Sequence, residues 1–214
     1  MDALDELLDS FYRRRVPDHW NDSLEAQASA SQGGDPEARR LLDGMVSVCA
    51  SIDVVIESEE GSEQARYHLN IEAGRMSVDA RPLRSPFLTL CHDLESFVVL
   101  ERESGDSVLG FLGALAGQDG DLQLTSGRIQ NLSGIDGILC FQLTGASPMT
   151  LKAQFGEATP GDEPRCRVQL SEETYGDLKR GTVSPQDVFL NGLIEIEGDM
   201  QMAMQIAMAA VAPG

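Results

Sequence analysis

The stretch FLNGLIEIEGDMQMAMQIAMAAV, residues 189–211, contains a short alternating segment followed by a run that is almost wholly apolar. Ile194 and Ile196 alternate with glutamates, which is typical of a strand with one buried and one solvent-facing side. Gly198 allows the chain to turn sharply, and Asp199 can cap a helix that begins after it. The stretch therefore predicts a strand, a tight corner and a closing helix.

The closing helix is unusual because its polar side chains form only a narrow stripe. Within residues 200–211, Gln201 and Gln205 are the only polar side chains, and four of the others are methionines. A helix that is apolar nearly all round is normally buried. Methionine also adapts to irregular apolar shapes, of which a lipid chain is one. Core packing, contact with a lipid and an exposed dimerisation face are three interpretations of the same pattern.

Outward from this stretch, period-two patterns and turn residues indicate further strands. The predicted strands are residues 51–57, 65–71, 76–80, 87–91, 137–144, 149–155, 166–170 and 193–197. An amphipathic helix is predicted over 2–15, a polar linker follows it, and Asp35 with Pro36 starts a second helix. Strands with intervening helices predict an α+β protein with an extra N-terminal helix.

The chain also contains an internal repeat. Shifted by about 78 residues, the segment 111–129 falls on 189–207, so that Phe111 meets Phe189. The pair Gly120–Asp121 then meets the glycine and aspartate of the corner. A shared order of elements favours duplication. We therefore predict an N-terminal helix and linker at 1–34, a degenerate unit at 35–132 and a second unit at 133–214.

The second unit resembles the sterol carrier protein 2 (SCP2) domain family over roughly residues 137–211. The family pattern of a strand, short helices, a Gly-Asp corner and an apolar closing helix is matched by Ser171, Leu178, Gly181, Pro185, Phe189, Gly192, Leu193, Ile196, Gly198 and Asp199. The segment 36–132 resembles the same fold through Phe111 and Gly120–Asp121, with Ala114 in place of the family's glycine.

The resemblance implies a five-stranded, mostly antiparallel sheet covered by helices, duplicated in this chain. It also implies an apolar tunnel between sheet and helices that holds a fatty acyl chain, a sterol or an isoprenoid. The residues that we predict to contact the lipid are Phe189, Leu193, Ile194, Ile196, Met200, Met204 and Ile206. The family needs no catalytic residue, metal or cofactor for this activity.

Charge and motifs exclude several other classes of function. The formal net charge of −19 disfavours nucleic acid and anionic membrane surfaces as tight partners. No run approaches 18 apolar residues, and no cationic, then apolar, N-terminal segment is present, so we expect a cytoplasmic protein without stable membrane insertion. The four cysteines are far apart and predict buried free thiols rather than a metal site. The common catalytic and nucleotide-binding motifs are missing from the sequence.

Two hypotheses follow from the sequence. The first is a non-catalytic protein that binds, and transfers, a lipid or another apolar small molecule in the second unit. The alternative is an interaction, scaffold or accessory protein in which the cavity is filled and the fold mediates assembly, with a homo-oligomer as one form. Burial of ten methylene groups would supply roughly 8 kcal/mol to the first before association costs.

Overall fold

A computed structural model describes residues 3–58, 60–115, 122–156 and 163–211. Its centre is one eight-stranded sheet with the order β3-β2-β1-β4-β6-β5-β7-β8. The strands are β1 (Cys49–Glu57), β2 (Glu63–Glu72), β3 (Arg75–Asp79), β4 (Leu88–His92), β5 (Gly137–Thr144), β6 (Met149–Phe155), β7 (Cys166–Ser171) and β8 (Ile194–Gly198). All eight strands lie where the period-two patterns predict them.

Helices flank and connect these strands. They are α1 (Ala3–Ser10), α2 (Val16–Gln32), α3 (Pro36–Val46), α4 (Leu94–Ser104), α5 (Gly110–Leu115), α6 (Ser126–Ser133), α7 (Glu172–Lys179), α8 (Pro185–Leu190) and α9 (Met200–Val211). A π-helical turn, Phe11–Arg15, joins α1 to α2. Several helices start at the side chains expected to cap them: Asp35 caps α3, Asp93 caps α4 and Ser171 caps α7.

The α+β class is confirmed, whereas the predicted five-stranded sheet is wrong in strand number. Each half of the chain contributes four strands to one continuous sheet. In both halves an antiparallel hairpin is followed by a strand that runs parallel to the first strand of the hairpin, as β1–β2 with β4 and as β5–β6 with β7. The residues that the repeat aligns with β8, including Gly120–Asp121, lie outside the described residues. The duplication and the domain boundaries stay predictions.

The two halves meet where β4 pairs antiparallel with β6. Leu88 lies opposite Phe155 and Leu90 lies opposite Ala153 in this pairing. An edge strand with unpaired backbone groups is open to unwanted pairing, and here each half covers an edge of the other. This pairing explains why the sheet has eight strands: the outer edge of β4 is taken by β6 of the second half.

The sheet has one apolar face and one mixed face. Across the sheet the apolar row reads Tyr67, Val54, Leu90, Ala153, Leu139 and Cys166, all of them in the hydrophobic core. The helices contribute Phe97, Phe111, Tyr175 and Ile206 to the same core, so the helical layer covers this face. The next row of residues, on the opposite face, includes Arg66, Lys152 and Arg167.

The N-terminal segment is helical for longer than the sequence indicates. The polar stretch after residue 15, which predicts a linker, continues as α2 to Gln32. Pro17 does not stop it because it lies in the first turn, where a proline costs no helical hydrogen bond. Trp20 fixes α2 to the sheet by donating its indole N–H to the carbonyl of Gly74 at 2.7 Å.

The π-helical turn places a second aromatic anchor in the core. The Tyr12 hydroxyl lies 2.6 Å from Nε2 of His92, and both side chains are buried. Nδ1 of His92 lies 2.9 Å from the carbonyl oxygen of Asp93, which can only accept a hydrogen bond. His92 is therefore neutral, with its proton on Nδ1, and Nε2 accepts from Tyr12. Burial lowers the pKa of His92 from its ordinary value.

We expect the stability of the protein to fall as the pH drops below about 6.5, the pKa of an unperturbed histidine. There the unfolded chain binds a proton at residue 92, and the folded chain does not because its pKa is lower. The free energy of unfolding should decrease by up to about 1.4 kcal/mol per pH unit from this group. Urea denaturation at pH 6.5 and 5.5, compared with His92→Gln, isolates the effect. Equal pH dependence in both proteins would contradict it.

Candidate functional site

The Gly-Asp corner fixes the direction of α9. Gly198 adopts a φ of +85°, and the amide of Asp199 donates to the carbonyl of Arg165 at 2.7 Å. The Asp199 carboxylate accepts from the Met202 amide at 3.1 Å and pairs with the Arg165 guanidinium. The first of these bonds, with help from the second, holds the pKa of Asp199 below its ordinary value. As a result, α9 turns back over β7 and β8, with which it is in contact.

Helix α9 has a buried side and an exposed apolar side. Its buried side consists of Met202, Ile206 and Ala209, at 2%, 5% and 3% exposure. The opposite side carries a methionine stripe, defined as Met200, Met204 and Met208, with exposures of 42%, 57% and 58%. These three lie four residues apart and so share one face of the helix. An exposed apolar face of this kind marks a place where an apolar ligand or partner can bind.

Helix α8 presents a second exposed apolar surface. A reciprocal capping box between Ser184 and Asp187 starts the helix, and Val188 anchors it in the core. The two residues after this anchor, Phe189 and Leu190, are 55% and 79% exposed. Such exposure is costly for large apolar side chains unless another molecule covers them.

The seven residues predicted to contact a lipid fall into three groups. Phe189, Leu193, Met200 and Met204 are exposed. Ile194 and Ile196 are half-buried on β8, where they lie opposite Leu170 and Val168 of β7 on the apolar face of the sheet. Ile206 is on the buried side of α9. Six of the seven therefore lie on α8, β8 and α9, and Leu193 lies in the turn between α8 and β8.

Two depressions in the described part of the chain lie elsewhere. One is a cavity of about 10 Å³ in the first half, lined in part by Val16, Trp20 and Leu122. The other is an open, polar depression of about 380 Å³ beside Glu6 and Arg14. Neither is lined by any of the seven predicted residues. A ligand at α9 would thus occupy the exposed apolar surface or separate α9 from the sheet.

Two of the elements that carry this apolar surface, β8 and α8, also carry exposed acidic side chains. Glu195 and Glu197 alternate with the isoleucines of β8 and are exposed on the opposite face of the sheet, and Asp187 is exposed on α8. Their charges disfavour an anionic head group near the surface. Electrostatics therefore favours a neutral apolar ligand here, in agreement with the formal net charge of −19.

An aromatic cluster in the core beneath the helical layer is formed by Phe111 of α5, Phe141 of β5 and Tyr175 of α7. The Phe141 ring lies 5.7 Å from the Phe111 ring and 6.4 Å from the Tyr175 ring, measured between centroids. Tyr175 is 2% exposed, and burial raises the pKa of its hydroxyl. The hydroxyl therefore keeps its proton and can act as a hydrogen-bond donor.

The mixed face of the sheet carries a group of side chains that resembles an acid–base site. The Asp53 carboxylate accepts from Nη1 of Arg66 at 2.7 Å and pairs with Nδ1 of His68 at 2.8 Å. Both carboxylate oxygens are engaged, as is usual for a buried carboxylate, so the group links β1 to β2.

The cysteines and polar clusters give no sign of a metal centre in the described ranges. Among those residues, no group of three or more histidine, cysteine or acidic side chains is arranged to hold an ion. Cys91, Cys140 and Cys166 are buried free thiols as predicted, whereas Cys49 is exposed. The prediction fails at Cys49 because this first residue of β1 points to the mixed face at the end of the strand, whereas its neighbours Val48 and Ala50 point into the core.

Sequence patterns missed several residues of this region. Leu190 and Met208 are exposed apolar residues, and their types alone would place them in a core. Tyr175 belongs to no sequence motif, and only the tertiary structure shows that its hydroxyl is buried. The high apolar content of α9 was the signal that could have placed Met208 among the residues predicted to contact a lipid.

Comparisons with known proteins give one family. Residues 121–211 match the model of the SCP-2 sterol transfer family. This match confirms the resemblance inferred from the Gly-Asp corner and its flanking residues; the tandem arrangement stays a prediction. The comparison with curated proteins gives no match.

Solved structures similar to this chain include three SCP2 proteins. Sterol carrier protein 2 like 2 from Aedes aegypti is 18% identical, with 34% of this chain and 72% of that chain covered and a TM-score of 0.28. Sterol carrier protein 2 from Yarrowia lipolytica, in its apo form, is 19% identical over 33% and 68%, with a TM-score of 0.26. Sterol carrier protein domain 2 of Helicoverpa armigera is 20% identical over 55% and 90%, with a TM-score of 0.29.

Proposed function

We propose that the chain is a non-catalytic lipid-binding protein, because residues 121–211 match the model of the SCP-2 sterol transfer family. The ligand is an apolar molecule such as a fatty acyl chain, a sterol or an isoprenoid. The observation that carries the proposal is the methionine stripe, an exposed apolar face on a helix whose other side is buried.

The geometry of β8 and α9 suits an extended apolar molecule. Helix α9 contains 12 residues, which corresponds to a length of about 18 Å. Strand β8 contains five residues, or about 17 Å. Since the corner at Gly198 turns α9 back over β7 and β8, the two elements offer an apolar track of similar length. Ile194 and Ile196 lie on the sheet side of α9, whereas Met200 and Met204 lie on its exposed side, which forms the outer wall of the site.

Flexible side chains on the outer wall would let one site accept lipids of different shape. Methionine has three rotatable bonds and fills irregular gaps better than leucine or isoleucine. Each methylene group that enters such a site contributes about 0.8 kcal/mol. Lipid binding of this kind requires no proton transfer and no covalent step. Among the described helices, none has the length and hydropathy to cross a bilayer.

Substitution of Met204 by glutamate tests this proposal. Met204 is 57% exposed, so Met204→Glu should leave the thermal midpoint nearly unchanged while it places a charge on the apolar track. We expect at least about a tenfold lower affinity for a fluorescent fatty acid or sterol probe, which corresponds to about 1.4 kcal/mol. Binding is measured by titration of the probe fluorescence and by native mass spectrometry, followed by organic extraction of any bound species.

The matched control is Leu83→Glu. Leu83 is 48% exposed and lies between β3 and β4, away from α8 and α9, so the same charge there should not affect binding. Equal affinity of Met204→Glu and the wild type would show that the stripe is not the site. Failure of the wild type to bind any lipid of a mixed panel would overturn the proposed function itself.

A second candidate function is assembly with another protein, and the exposure of Phe189 and Leu190 favours it. Side chains of this size are enriched at protein interfaces when they are grouped on a surface. Sedimentation of the purified chain at several concentrations separates the two functions. A stable oligomer that binds no lipid and is dissociated by Leu190→Asp would support assembly.

A further inference from the structure

The hydroxyl group of Tyr175 is an exception among the buried polar aromatics of this chain. The residue is 2% exposed, and its hydroxyl has no hydrogen-bond partner in the described part of the chain. By contrast, Tyr12 donates to His92, and Trp20 donates to a carbonyl of Gly74. A buried polar group without a partner costs about 1–3 kcal/mol. Such a group calls for a specific explanation, and a bound ligand is one of them.

A second unpartnered hydroxyl belongs to the same region. Oγ of Ser104 is buried and has no hydrogen-bond partner in the ranges that the structure describes. Ser104 ends α4 and touches the start of α5, because a Cβ built on Gly110 would lie only 3.0 Å from the Ser104 carbonyl oxygen. Lys179, one turn beyond Tyr175 on α7, donates to the carbonyl of Glu103 at 2.6 Å. The two hydroxyls therefore belong to helices that meet at one junction.

Helix α5 connects this junction to α9, because it is in contact with both α7 and α9. The aromatic cluster connects Tyr175 to Phe141 and Phe111, and α5, which carries Phe111, is in contact with α9. A lipid that enters between α9 and the sheet has its apolar part against β7 and β8. Its end could reach the aromatic cluster without leaving the apolar side of the sheet.

We propose that Tyr175, assisted by Ser104, donates a hydrogen bond to a neutral acceptor group of the bound lipid, such as a carbonyl, ester or hydroxyl oxygen. This inference rests on the proposed lipid-binding function and adds a ligand class to it. In the unliganded protein the Tyr175 hydroxyl has no acceptor among the described residues, and the ligand oxygen supplies one. The favoured ligand is an apolar molecule with one neutral polar end.

A negatively charged end group is disfavoured at this position. The walls of the cluster are apolar, and transfer of a carboxylate into such surroundings without a cation is costly. The cations in the neighbourhood are already engaged: Nε of Arg102 donates to Glu103 at 2.7 Å, and Lys179 binds the Glu103 carbonyl. A ketone or an ester avoids this cost.

The experiment compares the wild type with Tyr175→Phe against three probes of equal chain length: dodecan-2-one, dodecane and dodecanoate. Dissociation constants are measured by displacement of a fluorescent lipid probe and by native mass spectrometry. We expect Tyr175→Phe to bind dodecan-2-one about 5- to 10-fold more weakly, since one neutral hydrogen bond is lost. Binding of dodecane should change less than about twofold. The wild type should prefer the ketone to dodecanoate.

The stability of the unliganded variant gives an independent readout. Removal of an unpartnered hydroxyl should leave the thermal midpoint of Tyr175→Phe equal to that of the wild type or higher. Tyr12→Phe is the matched control: it leaves Nε2 of His92 unpaired, so it should lower the thermal midpoint without changing the ratio of ketone to alkane affinity.

The outcomes separate this inference from the proposed function. If Tyr175→Phe binds all three probes as the wild type does, or loses ketone and alkane affinity equally, Tyr175 is not a polar anchor and the inference is overturned while lipid binding stands. If the wild type binds other lipids of the mixed panel but not dodecan-2-one, the inference alone fails. If it binds no lipid at all, both fail. A selective loss for the ketone, with Ser104→Ala giving a smaller loss in the same direction, supports the assignment.

Discussion

A fragment of residues 121–214, which contains the whole segment that matches the family, is expected not to fold cooperatively when it is expressed alone. The full-length chain should show one cooperative thermal transition, and the fragment should show none. The reason is the shared sheet. The fragment loses β4, which pairs with β6, and it also loses α4 and α5.

The contacts that the fragment loses are central to its core. Strand β6 places Met149, Leu151, Ala153 and Phe155 on the apolar face, all at 2% exposure or less, and α4 packs on this strand. Without α4 and β4, these side chains lie at an open edge. Burial of a large apolar side chain contributes about 1.5–3 kcal/mol, whereas a whole domain is stable by only about 5–15 kcal/mol. The loss therefore removes most of the net stability.

Circular dichroism and calorimetry of the fragment measure this directly, with the full chain as the reference. The fragment should also associate, because the apolar inner edge of β6 is then free to pair with other chains. A monomeric fragment with a cooperative transition would show that the second unit is an independent domain, as the predicted boundary at residue 133 implies. The complementary fragment 1–132 should fail in the same way, since β4 becomes its edge.

Local structure was largely predictable from the sequence. The eight strands were marked by period-two patterns, and the caps at Asp35, Asp93 and Ser171 were marked by residue type. These signals are local, since each depends on a few neighbouring residues. The helix after residue 15 was missed because Pro17 and a polar composition resemble a linker. Burial of Trp20 and Leu24 against the core outweighs that composition.

The joining of the two sheets was not predictable in the same way. Pairing of β4 with β6 depends on which of two strand edges meets the other, and neither LTLCH nor MTLKAQF encodes its partner. The candidate site shows a similar division. The side chains of Ile194 and Ile196 were expected to lie on the buried side of the strand because they alternate with glutamates. The exposure of Phe189 and Met204 depends on how α8 and α9 lie on the sheet, which residue type does not determine.

The corner at Gly198 should be the most sensitive single position of the second unit. Gly198→Ala is expected to lower the free energy of unfolding by about 3 kcal/mol. Part of the cost is conformational, because the φ of +85° is unfavourable for a residue with a Cβ. The rest is steric, because the new Cβ would overlap the carbonyl oxygen of Arg165 and lie 3.3 Å from its carbonyl carbon.

Neither backbone can easily move away from this clash. The Arg165 carbonyl accepts the amide of Asp199 at 2.7 Å, and Cys166, the next residue, pairs with Gly198 in the sheet. A shift that relieves the clash would weaken the cap of α9 and uncover Met202 and Ile206. We therefore expect the variant to lose lipid affinity together with stability, whereas a change on the methionine stripe affects affinity alone.

Gly192→Ala separates the two contributions. Gly192 has a φ of +65°, but a Cβ there meets no described atom within 4 Å. It should cost only the conformational part, about 1–2 kcal/mol. Urea denaturation of both variants measures the difference, which is the steric contribution of the corner. Equal losses in the two proteins would mean that the Arg165 carbonyl yields to the new methyl group, and that the close approach of β7 to the corner does not determine the position of α9.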